Sequence, residues 1–139
     1  MLYYLYIIRP VTHKGLEMAT KFSALLKKHR LASGKTLREF CLEHGIDPGN
    51  YSRLERGLFP PPQSHELLEK YARALGLTFG SDDWLEFFDM AAVERGQIPA
   101  DLMSDAEVVE KLPVLFRTMR AKQVSGENLD DLVDKIRRS

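Results

Sequence analysis

The segment between residues 36 and 57 constrains the fold of this chain most, because it carries start and stop signals for two short helices. Thr36, followed three residues later by Glu39, predicts a capping box at the start of the first helix. Gly45 predicts its end, since a left-handed backbone costs little only at glycine. Asp47 followed by a proline is typical of a second helix start. We therefore predict two helices joined by a tight turn.

Apolar spacing predicts which faces of these helices are buried. Leu37, Phe40 and Cys41 share one face of the first helix, and Tyr51 and Leu54 share one face of the second. The residues of the second helix that point outward are then Gly49, Asn50, Ser52, Arg53 and Arg56. Two helices this short cannot bury a core alone, so neighbouring helices must hold them. The layout is that of a helix-turn-helix, whose second helix enters the DNA major groove.

Over roughly residues 22–77 the chain resembles the Xre family, the Cro/repressor type of helix-turn-helix protein. Four stretches carry the resemblance: LLKKHRLASG, LREFCLEHGI, NYSRLERG and LLEKYARALGL. Arg30 stands where the family has an arginine in helix one, and Glu55 stands at the glutamate of its S-x-x-E-x-G ending. Cys41 occupies a site usually held by alanine. Leu37 stands where many members carry a glutamine that contacts a DNA phosphate, so that contact is not carried over.

Motif and resemblance together imply an all-α fold. We expect a five-helix repressor-like helix-turn-helix domain over residues 18–80 and a helical extension for dimerisation or partner binding over 81–139. Outside the motif, the expected helices are Thr20–Ser33, Glu66–Leu75, Asp83–Arg95, Asp105–Lys111, one that starts at Leu112, and Glu127 to about Arg138. A turn is expected at Ile98–Asp101.

Residues 1–17 form an N-terminal extension of different character. The run LYYLYII is aromatic and β-branched, which predicts a short β-strand at Tyr3–Ile8. A lone strand must dock on helices or pair with the same strand of another subunit. A third interpretation is a translation start placed too early, since Met18 begins a typical family N-terminus. We favour an ordered role between subunits.

The net charge of zero hides an uneven distribution. Residues 18–62 hold eight Lys/Arg and four Asp/Glu, a net charge of +4, whereas residues 63–111 hold four and eleven, a net charge of −7. Residues 112–139 carry +2. The basic part coincides with the two-helix motif, where contacts with DNA phosphates would need it.

The expected DNA-binding residues divide by role. Asn50 and Arg53 are expected to read bases, because Asn pairs well with adenine and Arg with guanine in the major groove. Gly49 would allow close backbone approach. Arg30 and Glu55 are expected to form a structural ion pair instead. The complete expected DNA-binding set is Lys35, Arg38, Pro48, Gly49, Asn50, Ser52, Arg53 and Arg56, of which Lys35, Arg38 and Arg56 would contact phosphates.

Nothing in the sequence predicts catalysis, a metal site or a cofactor. The single cysteine excludes an intramolecular disulfide and a Cys-clustered zinc site. The four histidines lack metal-ligand spacing, and no serine or cysteine has a recognisable base. The apolar run Leu2–Ile8 is too short for a secretory signal or a membrane span. We therefore expect a cytoplasmic, non-enzymatic protein without a membrane partner.

Three functions fit these expectations. The first is a homodimeric repressor that binds operator half-sites on double-stranded DNA with helix 47–56. The second is an antitoxin-like protein whose C-terminal half neutralises a partner, such as a toxin or a prophage-type regulator, and which autoregulates its operon; LPVLFRTMR and LDDLVDKIR resemble the tails of such proteins. The third is a DNA-binding subunit of a modification or recombination enzyme. The homodimer is expected from the strand, the wide apolar stripe on Trp84–Ala92 and the amphipathic last helix.

Overall fold

A computed structural model describes residues 21–122 and 126–139, and every regular element in these two ranges is a helix. The helices are α1 (Lys21–Ala32), α2 (Leu37–His44), α3 (Pro48–Glu55), α4 (His65–Ala74), α5 (Asp82–Glu94), α6 (Ala100–Met103), α7 (Ala106–Ala121) and α8 (Glu127–Arg138). The expected all-α class is confirmed for the described residues. The strand expected at residues 3–8 and the start of helix one at Thr20 lie outside them.

The chain divides into two compact units, the first extending to Pro99 and the second comprising Ala100–Ser139. The sequence predicts this division after residue 80. The first unit is longer because α5 belongs to its core: Trp84, Phe87 and Ala91 are all buried there. The described part of the first unit therefore holds five helices, α1 to α5.

The local signals around α2 and α3 act as predicted. The backbone N–H of Glu39 donates to Thr36 Oγ1 at 3.2 Å, and the Thr36 N–H donates to the Glu39 carboxylate at 3.4 Å, which completes the capping box. Gly45 ends α2 at φ 63°, a conformation that favours glycine. Asp47 Oδ2 then accepts the Asn50 N–H at 2.8 Å and starts α3. These caps fix a short, tight connection between the two helices.

One hydrophobic core joins α1 to α5, and two groups of aromatic rings lie within it. Phe22 of α1 lies 5.0 Å from Phe87 of α5, ring centre to ring centre, and Tyr51 of α3 lies 5.1 Å from Phe40 of α2 and 5.7 Å from Tyr71 of α4. Each fully buried aromatic or aliphatic side chain contributes about 1.5–3 kcal/mol through the hydrophobic effect. The remaining buried apolar residues are Leu25, Leu26, Cys41, Ile46, Leu54, Leu68, Ala72, Leu75, Trp84 and Ala91.

The loop between α3 and α4 is held by the end of α5. Arg95 donates from Nη1 to the Pro61 carbonyl at 2.5 Å and from Nη2 to Gln63 Oε1 at 3.3 Å. Pro61 itself is buried. The chain that leaves α3 is thus tied directly to α5, which gives a second reason for counting α5 in the first unit.

The second unit differs from the predicted elements at two places. The expected break near Leu112 is wrong, because α7 continues through Pro113 as one helix. Pro113 is exposed, so the carbonyl left without an N–H partner can be solvated there. Ala100 and Asp101, expected in a turn, are the first two residues of α6. The last helix begins at Glu127 as predicted, and none of α6, α7 and α8 contains a buried residue.

Among the described helices, none combines the length and the apolar character that crossing a bilayer requires.

Candidate nucleic-acid interface

The side chains of α3 separate into a packing face and an exposed face. Tyr51 is fully buried and Leu54 is 5% exposed, so these two residues fasten the helix to the core. Ser52 is half-buried. The exposed residues on and directly after the helix are Pro48, Gly49, Asn50, Arg53 and Arg56. The structure thus brings six of the eight expected DNA-binding residues, including Ser52, together on and beside one short helix.

The C-terminal end of α3 is locked by the expected ion pair between Arg30 and Glu55. Arg30 Nη2 lies 2.5 Å from Glu55 Oε1, and Arg30 Nε donates to Oε2 at 3.0 Å, so the guanidinium binds the carboxylate with two parallel bonds. A third donor, Nη1, reaches the carbonyl of Lys35 at 2.8 Å. Arg30 is only 7% exposed, and the hydrogen bonds that it donates to Glu55 raise its pKa. The pair joins α1, the loop after it and α3, and therefore fixes how α3 is presented.

Gly49 stands on the exposed face without a structural need for glycine. Its backbone is not in the left-handed region, and an added Cβ would meet Asp47 Oδ2 at 3.4 Å and Arg53 Nη1 at 3.5 Å, both ordinary side-chain contacts. Glycine inside a helix is less favourable than alanine by up to about 1 kcal/mol. Glycine at this position therefore does not stabilise the fold. The absence of a Cβ would instead let a ligand approach the helix backbone closely.

Arg53 is oriented by a residue that the sequence did not single out. Its guanidinium carbon lies 5.5 Å from the ring centre of Phe59, a cation–π distance. Phe59 is 44% exposed and belongs to the loop after α3. Its N–H also lies 3.4 Å from the Arg53 carbonyl. No helical spacing links these two positions, so only the folded loop brings them together.

The three expected phosphate contacts are not equivalent. Arg38 and Arg56 are exposed, and within the described ranges neither forms an ion pair. Lys35 Nζ instead contacts the carboxylate of Glu43 on α2, and this hydrogen bond lowers the pKa of Glu43. Two free positive charges therefore flank α3, while the third is partly neutralised.

A shallow apolar depression of about 440 Å³ lies beside the start of α3. It is lined by buried Cys41 and Ile46 and by Leu42, which is 84% exposed. Arg38 and Pro48 also line it, so it adjoins two of the expected DNA-binding residues. One signal in the sequence points to it: Leu42 is apolar but lies away from the buried face of α2.

Other chemistry is not assembled in the described part of the chain. No three His, Cys, Asp or Glu side chains there come close enough to hold a metal ion. Cys41 is buried, and desolvation raises the pKa of its thiol, which disfavours the reactive thiolate. Cys41 thus serves as a small core residue at the site where alanine was expected to be usual.

No family model, no curated protein and no solved structure matches this chain.

Proposed function

We propose that this protein is a sequence-specific DNA-binding transcriptional regulator of the Xre type, which represses as a homodimer and uses α3 as its recognition helix. The observation that carries the proposal is the division of α3 into a buried anchor and an exposed Gly-Asn-Arg face. A short helix that exposes hydrogen-bonding side chains on a rigid support suits base readout in the major groove.

The arrangement of α1 to α5 supports a five-helix repressor-like domain. In such a domain α2 and α3 form the helix-turn-helix, and the remaining helices hold them in place. Here Tyr51 packs against aromatic rings of α2 and α4, and Arg30 clamps the end of α3. The recognition helix is thereby fixed in orientation before it meets DNA, which lowers the conformational entropy cost of binding.

Base readout is assigned to Asn50 and Arg53, with Gly49 allowing the helix start to approach the DNA closely. Each good bidentate contact discriminates against a wrong base pair by about 1–3 kcal/mol. Phe59 restrains the Arg53 guanidinium, so that less rotamer entropy is lost on binding. Pro48 and Ser52 complete the contact surface at the sides of the helix.

Phosphate contacts are assigned to Arg38, Arg56 and Lys35. Removing a positive charge that contacts a phosphate of B-DNA reduces the magnitude of the slope of log affinity against log salt by about 0.9. Lys35 shares its charge with Glu43. We therefore expect Arg38→Ala and Arg56→Ala each to reduce the slope by about one unit, and Lys35→Ala to reduce it less.

The test starts by selecting a preferred duplex from a random DNA pool and measuring its affinity by fluorescence anisotropy at fixed salt. Asn50→Ala and Arg53→Ala should each lower affinity for the selected duplex about tenfold to a hundredfold and leave non-specific binding nearly unchanged. Arg73→Ala is the matched control, since Arg73 is an exposed arginine on α4. Undiminished specific binding by both α3 variants would refute the assignment.

We further propose that the protein acts in the cytoplasm, without a cofactor and without catalysis. Half-site pairing explains why such a regulator would be a dimer: one recognition helix contacts few base pairs, and two copies about one DNA turn apart combine their affinities.

A second candidate function is favoured by the exposed apolar side chains of the second unit. Phe116 and Ile136 are 40% and 64% exposed, as a surface that neutralises a toxin would require. Under this antitoxin-like alternative, DNA binding through α3 would autoregulate the operon. Purification from the native host followed by mass spectrometry separates the two functions: a stoichiometric foreign protein on the full chain supports the alternative, and a pure homodimer supports the repressor.

A further inference from the structure

Residues 100–139 form a compact unit without an interior. None of their described side chains is buried, and large apolar ones remain accessible, among them Leu115 at 44%, Phe116 at 40% and Ile136 at 64%. Units near or below about 40 residues usually need oligomerisation, a metal or a disulfide to become stable. The unit contains no cysteine, and no metal-ligand cluster occurs among its described residues. Oligomerisation is the route that remains.

Helix α8 carries an apolar stripe that is symmetric about its own midpoint. At about 100° per residue, Leu129, Leu132, Val133 and Ile136 fall within one arc of about 100°. Reversing the direction of the helix about the point between Leu132 and Val133 exchanges these two residues with each other, and exchanges Leu129 with Ile136. Such a stripe can pack against an antiparallel copy of itself.

The charges of α8 also suit a reversed copy, because the helix is acidic at its start and basic at its end. On one edge of the stripe Asp130 lies near the start of α8 and Arg137 near its end. In an antiparallel pair related by a two-fold axis, each edge meets the same edge of the partner helix, so Asp130 comes beside the partner's Arg137. In a parallel pair each edge meets the opposite edge of the partner helix, this match is lost, and the two acidic starts lie side by side.

We propose that α8 pairs antiparallel with the α8 of a second copy of this chain. The apolar layers are then Leu129 on the partner's Ile136 and Leu132 on the partner's Val133. The flanking pair joins Asp130 to the partner's Arg137, and by symmetry it occurs twice. This pairing deepens the homodimer of the proposed function.

A second copy fits α8 better than a foreign partner does. A ligand with one sign of charge would complement one half of the helix and repel the other, whereas the reversed copy complements both halves. The helix is about 18 Å long, so the pairing covers less area than the 1,200–2,000 Å² of a standard interface. We therefore expect a dimer that forms in the micromolar range and is strengthened when two half-sites hold the copies close together.

The first test is charge exchange, read by sedimentation equilibrium on the full chain without DNA. Asp130→Arg makes the edge of Asp130 and Arg137 basic at both ends, and Arg137→Asp makes it acidic at both ends. Each variant alone should be monomeric at concentrations where the natural chain is dimeric, and an equimolar mixture should recover the dimer. Glu127→Arg changes the charge equally on the side of α8 away from the stripe and should leave the dimer intact.

The second test fixes the direction of the pairing in a Cys41→Ala background. Leu129→Cys should form a disulfide with Ile136→Cys when the two variants are mixed, and neither should cross-link efficiently with itself. Self-linkage of Leu129→Cys without the mixed product would overturn the antiparallel arrangement. The pairing itself would be overturned if the natural chain were monomeric at about 10 μM. It would also be overturned if the charge variants stayed dimeric.

The outcomes for pairing and for DNA binding are separable. Circular dichroism and the unfolding transition reported by Trp84 establish that each variant retains the first unit. Loss of the dimer with retained binding to a single half-site counts against the α8 pairing alone. An intact dimer that shows no preference among DNA sequences counts against the proposed function alone.

Discussion

The two units of this chain both consist of helices in their described residues, but they differ in which side chains they bury. The first unit, up to Pro99, buries an aromatic cluster and leaves polar side chains of α3 exposed. The second, from Ala100 onward, buries none of its described side chains and leaves apolar stripes exposed. Helix content alone therefore does not distinguish a unit with a hydrophobic core from one without. The burial of its side chains distinguishes them, because tertiary packing supplies most of the stability of helices in proteins.

The largest expected contrast concerns two phenylalanines. Phe87→Ala removes a fully buried ring from α5 and should lower the free energy of unfolding by about 3–5 kcal/mol. Phe116→Ala removes a ring from the exposed surface of α7 and should change that quantity by less than about 0.5 kcal/mol. Urea unfolding followed by the fluorescence of Trp84, the only tryptophan and a core residue of the first unit, measures the effect of Phe87→Ala, and circular dichroism over the same titration measures the effect of Phe116→Ala. Equal losses would erase the distinction between the units.

The next contrast concerns charged residues. Glu55→Ala leaves the buried guanidinium of Arg30 without its carboxylate partner and should lower the free energy of unfolding by about 3 kcal/mol. The double variant Arg30→Met with Glu55→Met leaves no unpaired charge and should cost less than Glu55→Ala alone. Asp134→Ala, in the exposed helix α8, should change unfolding by less than about 0.5 kcal/mol. The same denaturant titration applies, and a double variant as unstable as the single one would argue against a desolvated ion pair.

Much of the first unit follows from its sequence because local signals decide it. The capping box of Thr36 and Glu39, the left-handed Gly45 and the cap at Asp47 all occur where the sequence places them. The long-range pair of Arg30 and Glu55 was reached through a family resemblance, which supplied the contact that spacing alone does not.

The remainder depends on tertiary contacts that local patterns do not encode. The apolar stripe on α5 predicts that the helix has a buried face, but it does not decide to which unit the helix belongs. The sequence therefore predicts a boundary after residue 80, whereas α5 packs in the core of the unit that extends to Pro99. The ion pair of Lys35 with Glu43 and the ring of Phe59 under Arg53 join residues that share no helical register. Pro113 was treated as a helix start, yet solvent can satisfy the carbonyl it leaves free.

A smaller effect should separate stability from binding at Gly49. Gly49→Ala replaces a helical glycine that has room for a Cβ, so the free energy of unfolding should stay the same or rise by up to about 1 kcal/mol. Affinity for the selected duplex should fall about tenfold if the DNA approaches the helix backbone there. The control is Ala121→Gly at the end of α7, which should alter neither the Trp84 transition nor DNA affinity. A variant that binds DNA as tightly as the natural chain would remove Gly49 from the interface.

The smallest expected effect is a dependence on alkaline pH confined to the first unit. Burial raises the pKa of the Cys41 thiol above its ordinary value of 9.0. The neutral thiol is therefore favoured in the folded state; its stabilising contribution is complete below pH 9.0 and falls as the pH rises toward the folded pKa. The free energy of unfolding reported by Trp84 should decline between pH 8 and 10 in the natural chain.

The matching variant for this measurement is Cys41→Ala, which should show a flatter profile over the same interval. Residues 100–139 contain neither cysteine nor tyrosine. The circular dichroism of this segment, measured on the fragment alone, should therefore not decline over the same pH interval. A Cys41→Ala profile that parallels the natural one would assign the decline to other groups.

The split of α3 between anchoring and exposed residues has a consequence for how the protein can change over generations. Tyr51, Leu54 and Glu55 hold the helix, while Gly49, Asn50 and Arg53 contribute little to that hold. Substitutions in the exposed set can therefore accumulate without crossing an unstable intermediate. A lineage that keeps the three anchors is free to acquire new binding preferences one residue at a time.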